Sequence, residues 1–173
     1  MPSGAKDVCK LFQFTKVLVV DDEHYMRKLI RTILKSIGVR SIYEAADGPA
    51  GLEAIRTVAP DIVILDWEIP GLDGPTFARM VRSPETFPFP AVPIIVLTGN
   101  GERSRVVEAI SIGVNEFLLK PVSSKALQDR MVSVLTNPRP LVQSGSYYGP
   151  EPRKMSSYKP GADQPIANPI LVN

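Results

Sequence analysis

One cysteine and one histidine among 173 residues exclude several kinds of protein at once. Cys9 has no second cysteine to pair with, so no internal disulfide holds the fold. With His24 as the only histidine, no Cys/His set is available for zinc, an iron–sulfur cluster or haem. A reducing, cytoplasmic setting fits that poverty. Residues 1–10 carry Lys6, Asp7 and Lys10 without the apolar core of a secretory signal, and no apolar run approaches the length needed to cross a bilayer. The expectation is therefore no membrane contact. Strong charge of either sign is also missing. The net charge is +2, and the basic residues of the last stretch, Arg139, Arg153, Lys154 and Lys159, are scattered rather than aligned. Direct DNA or RNA binding, which needs a basic stripe on a folded face, is not expected.

What the chain has instead is a series of short, β-branched apolar runs, each ending in a polar group. Val17-Leu-Val-Val precedes the acidic pair Asp21-Asp22, Ile62-Val-Ile-Leu precedes Asp66, and Ile94-Ile-Val-Leu precedes Thr98. A fourth run, Asn115 to Leu119, ends at Lys120-Pro121. Between the runs the hydrophobic period changes from strand to helix. Met26, Leu29, Ile30, Ile33, Leu34 and Ile37 recur at helical spacing with Arg27, Lys28, Arg31 and Lys35 opposite, and Gly38 ends the pattern. A second strand is expected over Ser41 to Ala45. Further helices are expected from about Pro49 to Val58, Thr76 to Val81, Glu102 to Ile112 and Ser123 to Leu135.

Strands and helices in strict alternation imply a doubly wound α/β fold, (βα)5, with five parallel strands covered by helices on both faces. The carboxyl edge of such a sheet is where a site is built. Asp21, Asp22, Asp66, Thr98 and Lys120 should converge there. The folded unit is expected over residues 14–136, with 1–13 as an N-terminal extension. Ser83 to Pro93, with four prolines, reads as a surface insertion without regular structure. Residues 137–173 hold seven more prolines among Ser, Gly and Tyr and read as an extended or disordered tail. Those prolines are expected to prevent the tail from forming helix or strand, and Tyr147-Tyr148-Gly149-Pro150 reads as a turn. Tail residues are expected to be dispensable for the chemistry, while the cluster from Tyr147 to Tyr158 offers a docking segment for a partner or for the core itself.

Three carboxylates at one sheet edge raise one another's pKa unless a cation lies among them. Oxygen ligands select a hard ion, and Mg²⁺ suits two or three carboxylates with waters and a phosphate oxygen. Beside such an ion a carboxylate can act as nucleophile toward a phosphoryl group, with an ammonium and a hydroxyl on the transferring oxygens. Asp66 stands alone on the most central strand and is the nucleophile candidate. Asp21 and Asp22 are paired as metal ligands would be.

At these positions the chain resembles the receiver domain of two-component response regulators, most closely the single-domain, chemotaxis-type members. The resemblance rests on Asp21-Asp22 after strand one, Asp66 followed by Ile69-Pro-Gly-Leu-Asp-Gly74, Thr98 after strand four, and Lys120-Pro121 after strand five. It implies a flavodoxin-like sheet of strand order 2-1-3-4-5. It further implies Mg²⁺ on Asp21, Asp22, Asp66 and the backbone carbonyl of Glu68, and a phosphoryl group accepted by Asp66. Thr98 and Lys120 would meet the phosphoryl oxygens, and Phe117 would be the aromatic switch residue. The Lys120-Pro121 bond would be cis. Partners implied are a histidine kinase or histidine phosphotransfer protein, a downstream target protein, and a second copy in a phosphorylation-dependent homodimer.

Other functions place different weight on the same residues. A degenerate receiver would serve as a constitutive binding module. An aspartyl-phosphate phosphatase of the haloacid-dehalogenase type would use the acid two residues after its nucleophile, which Glu68 loosely matches. A flavodoxin proper would need a loop after strand one that accepts a flavin phosphate, and Asp21-Asp22 has the wrong charge. Thr98 alone could cap the helix after Gly99-Asn100-Gly101, Phe117 alone could be ordinary core, and His24 reads as a helix-surface residue.

Overall fold

A computed structural model describes residues 4–152. Five parallel strands form the centre: β1 Lys16–Val20, β2 Ser41–Ala45, β3 Ile62–Asp66, β4 Ile94–Thr98 and β5 Glu116–Leu119, in spatial order β2-β1-β3-β4-β5. This is the expected flavodoxin-like order. The middle strands β3 and β4 are buried along their whole length, which is why their runs are apolar at every position rather than alternating.

Alternation of side chains across the pleat divides the core into two layers. Leu18, Val20, Val63, Leu65, Ile94, Val96 and Phe117 face one way, against α3 (Gly48–Val58), α4 (Gly74–Val81) and α5 (Arg103–Ile112). Val17, Val19, Ile62, Ile64, Ile95, Leu97 and Leu118 face the other, against α2 (His24–Ser36) and α6 (Ser124–Thr136). Local chemistry starts three of the helices. The side chains of Asp47, Asp73 and Ser123 accept the N–H groups of Ala50, Thr76 and Ala126, satisfying donors that a helix start leaves unpaired. His24 opens α2 on the surface, 3.5 Å from Arg27 Nη2.

Three segments depart from expectation. Residues within 1–13, given no element from the sequence, form the helix α1 (Ala5–Gln13), which drives Phe12 to full burial in the α2–α6 layer. Val8, Leu11 and Phe12 stand at helical spacing, but one apolar stripe of a nine-residue helix is a weak signal beside the longer patterns that follow. The loop from Ser83 to Pro93 lacks regular structure, as its prolines require, yet it is no loose insertion. Phe87 and Val92 are buried, and the Arg56 guanidinium lies 4.9 Å from the centre of the Phe87 ring.

The expectation that prolines keep the tail from forming strands fails for residues 141–150. There β6 (Leu141–Ser144) and β7 (Tyr147–Pro150) pair antiparallel around Gly145-Ser146. Gly145 has φ +59, which a tight two-residue hairpin turn demands and glycine supplies without steric cost. Pro150 ends its strand, where a missing N–H does little harm. Tyr147-Tyr148-Gly149-Pro150 is therefore a strand and not a turn. Its anchor is Arg139, which donates to the Glu151 carbonyl at 2.8 Å and to the Asn115 carbonyl at 2.7 Å, just before β5. Gly113 and Gly149 meet backbone to backbone; a Cβ on Gly113 would lie 2.7 Å from the Tyr148 carbonyl oxygen. The remaining tail residues, including Arg153, Lys154 and Tyr158, lie outside the described residues.

Candidate functional site

The carboxyl edge of the sheet gathers the five expected groups. Asp66 is the last residue of β3 and Thr98 the last of β4, Asp21 follows β1 directly, and Lys120 follows β5. Asp21, Asp66 and Thr98 are buried, while Asp22 is exposed at the rim. One carboxylate oxygen from each of Asp21, Asp22 and Asp66 lies within 4.8 Å of the others. Lys120 Nζ donates to Asp66 Oδ1 at 3.1 Å and stands 4.0 Å from Asp21 Oδ2. The peptide bond between Lys120 and Pro121 is cis, as the resemblance implies.

Backbone bonds hold these side chains in place. Asp21 Oδ1 accepts the Glu23 N–H at 2.8 Å, and Asp66 Oδ1 accepts the Glu68 N–H at 3.3 Å. The Lys120 N–H donates to the Thr98 carbonyl at 2.8 Å, continuing the β4–β5 ladder one step past the strand. Arg27, from α2, donates to the Asp21 carbonyl at 2.7 Å. Neither the role of Arg27 nor that of Asn100 was read from the sequence. The Asn100 N–H donates to Thr98 Oγ1 at 3.1 Å, and Asn100 Oδ1 accepts the Glu102 N–H at 2.9 Å. Asn100 thus organises the start of α5, where Thr98 was a candidate cap. The polar residue within Gly99-Asn100-Gly101 was the available signal.

Burial pushes the Asp21 carboxyl up from the ordinary 3.8 to about 6, with the charges of Asp66 and Asp22 adding to it and the Glu23 N–H and Lys120 opposing it. Burial alone would lower Lys120, but the charge and hydrogen bond of Asp66, then Asp21 and Glu68, outweigh it and hold the ammonium above its ordinary value. Three carboxylates against one ammonium leave the edge short of positive charge. That deficit, with oxygen as the only donor type, fits a hard divalent cation such as Mg²⁺.

The sign of the Asp21 shift sets a pH dependence. A carboxyl with a raised folded-state pKa stabilises the fold when protonated, and the contribution disappears as pH rises from the ordinary 3.8 through about 6. Without divalent cations, the urea-unfolding free energy is expected to lose on the order of 2 kcal/mol across that window from this group. Asp21→Asn should remove the slope and stabilise the cation-free protein at neutral pH. An unchanged slope in the variant would locate the titration elsewhere.

The remaining site residues fall close by. Glu68 is exposed, two residues past Asp66, and its Oε1 accepts a hydrogen bond from Thr98 Oγ1. Phe117 is only 3% exposed, pairs in register with Val96, and belongs to the core layer of α3, α4 and α5. Trp67 is buried beside Asp66, and its indole Nε1 has no hydrogen-bond partner.

Comparison with known proteins agrees with this geometry. Residues 17–132 match the response regulator receiver domain family. The chain belongs to that family. It is 30% identical over 119 residues to the chemotaxis protein CheY of Pseudomonas aeruginosa, covering 69% of this chain and 94% of that one. It is 33% identical over 121 residues to the chemotaxis protein CheY1 of Helicobacter pylori, covering 69% and 96%. A solved structure of a putative response regulator from Chloroflexus aurantiacus superposes with a TM-score of 0.65 at 30% identity, covering 71% of this chain and 98% of that one. The match is to chemotaxis-type receivers, and among the described residues no helix is long and apolar enough to cross a membrane.

Proposed function

We propose that this chain is a cytoplasmic, phospho-accepting receiver that takes a phosphoryl group on Asp66 from a histidine kinase or a histidine phosphotransfer protein. The observation that carries the reading is the placement of Asp66 at the end of β3 between Asp21 after β1 and Thr98 at the end of β4, with Lys120 Nζ bonded to its Oδ1 and Asp22 completing the edge. An Asp66 oxygen attacks phosphorus as the P–N bond to the donor imidazole breaks, and the departing nitrogen takes up a proton. Mg²⁺ held by Asp21, Asp22, Asp66 and the Glu68 carbonyl would neutralise charge on the phosphoryl oxygens. Lys120 would hold one of those oxygens, and its raised pKa keeps it protonated for that task. Asp21, ionised at neutral pH only against the cost of burial, would lose that cost on meeting the cation.

The phosphorylated state is passed on through Thr98 and Phe117. A hydroxyl drawn to a phosphoryl oxygen frees space that an aromatic ring on the neighbouring strand fills, and α5, β5 and α6 carry the change to a target protein or a second copy. The signalling unit spans residues 14–136, and the β6–β7 hairpin packs on it. The degenerate-receiver alternative has one observation in its favour, the carboxylate of Glu68 on Thr98. Intact-mass measurement after incubation with acetyl phosphate and Mg²⁺ decides: one added phosphoryl group, mapped to Asp66, supports the acceptor, and none supports the binding module.

Trp67 gives a second test, because it is the only tryptophan and is the residue after Asp66. Millimolar-range Mg²⁺ should change its fluorescence, a concentration on the order expected for a weakly held site of few protein ligands. Asp22→Ala should weaken the response strongly. A response unchanged by that substitution would remove Asp22 from the ligand set.

A further inference from the structure

We propose that Glu68 is a built-in occupant of the seat that a phosphoryl oxygen takes on Thr98, and that its carboxylate must leave before Asp66 can be phosphorylated. The inference rests on the phospho-acceptor reading above. A threonine hydroxyl has one proton to give. Here Thr98 gives it to Glu68 Oε1, while the Thr98 oxygen accepts the Asn100 N–H at 3.1 Å. Thr98 has no exposed surface, so an incoming acceptor can reach the hydroxyl only from the mouth of the site, where Glu68 stands. A carboxylate oxygen and a phosphoryl oxygen are anionic acceptors of the same kind, and one proton cannot serve both.

The path by which Glu68 reaches this place is local. Its own N–H donates to Asp66 Oδ1 at 3.3 Å, which turns the chain back at the end of β3 and aims the side chain across to the end of β4. The side chain is otherwise exposed and can swing into water without breaking core packing. Its charge also acts on Lys120, after the larger influences of Asp66 and Asp21. The one carboxylate thus occupies Thr98 directly and acts on Lys120 through its charge alone. Phe117, already buried, is where the ring is expected once Thr98 has turned to an anionic oxygen. The alternative partner for the freed hydroxyl is the Asn100 carbonyl at 3.3 Å, a longer and uncharged contact.

The test is the rate of phosphoryl uptake from acetyl phosphate with Mg²⁺, followed by intact mass for the full chain, Glu68→Gln and Glu68→Ala, each also in a Thr98→Ala background. Glu68→Ala should be faster than the parent by about tenfold, the loss expected for one charge-assisted hydrogen bond that no longer has to be broken. Glu68→Gln, which keeps an acceptor but not the charge, should fall between. In the Thr98→Ala background the acceleration should largely vanish, because no hydroxyl remains to be occupied. Uptake by Glu68→Ala that is no faster than the parent overturns the proposal. An equal acceleration with and without the hydroxyl also overturns it, since the effect would then be general repulsion of an anion. If neither protein is modified, the phospho-acceptor reading itself falls and takes this one with it, an outcome distinct from equal rates in modified proteins.

Discussion

Asp66→Asn is expected to abolish phosphoryl uptake while leaving the fold intact. The amide has nearly the shape of the carboxylate, and its Oδ1 can still accept the Glu68 N–H and the Lys120 ammonium that Asp66 Oδ1 accepts now. What it lacks is a nucleophilic oxygen. Among the described residues no other carboxylate has Lys120 at 3.1 Å; Asp21 is the nearest rival, and its oxygen is 4.0 Å from the ammonium. The variant removes one of the charges that raise Asp21, so the Asp21 pKa should move down toward its ordinary value. Two measurements check the assignment together: intact mass after acetyl phosphate, and the pH dependence of stability without cations. A phosphorylated mass equal to the parent's would move the acceptor to another residue.

The fold and the principal site could be read from the sequence because parallel strands leave a strong local record. β3 and β4 are buried on both faces, so Ile62 to Leu65 and Ile94 to Leu97 are apolar without interruption, and the polar group that ends each run marks the sheet edge. Strand order needs more than pattern. It came from the resemblance carried by Asp21-Asp22, Asp66, Thr98 and Lys120-Pro121, and the strand pairing agrees with it. Boundaries shifted by one or two residues where capping side chains decide them, as at Asp73, which starts α4 at Gly74 rather than Thr76.

The features that escaped the sequence are those fixed by contacts between distant segments. The Gly145-Ser146 pair between Leu141-Val-Gln-Ser and Tyr147-Tyr-Gly-Pro is a hairpin signal in its own right, but the prolines around it outweighed it. What stabilises the hairpin is the approach of Gly149 to Gly113 and the reach of Arg139 to Asn115, separations that no local window contains. The side chain of Glu68 is a similar case. Its position two residues after Asp66 drew attention to the acid of an aspartyl-phosphate phosphatase, yet its contact is with Thr98, thirty residues further on.

Arg82→Ala is expected to destabilise the protein by about 3–5 kcal/mol. Arg82 ends α4 with a buried guanidinium and no carboxylate among its hydrogen-bond partners. Nε donates to the Gly113 carbonyl at 2.8 Å, Nη1 to the carbonyls of Pro90 and Val92 at 2.8 and 2.7 Å, and Nη2 to Asn115 Oδ1 at 2.8 Å. Burial lowers its pKa to about 10, which leaves it charged at neutral pH. One side chain therefore ties the proline-rich loop, the end of α5 and the start of β5 together beneath the hairpin. Removing it leaves buried acceptors without donors and opens a cavity, two costs that act at the same place. Arg82→Lys should recover little, because a single ammonium cannot span the acceptors that the planar fork reaches. Urea unfolding of the three proteins measures the effect. A loss below about 1 kcal/mol in Arg82→Ala would mean that water replaces the guanidinium at these acceptors, and the loop and hairpin would then owe their placement to the burial of Phe87 and the Gly113–Gly149 contact instead.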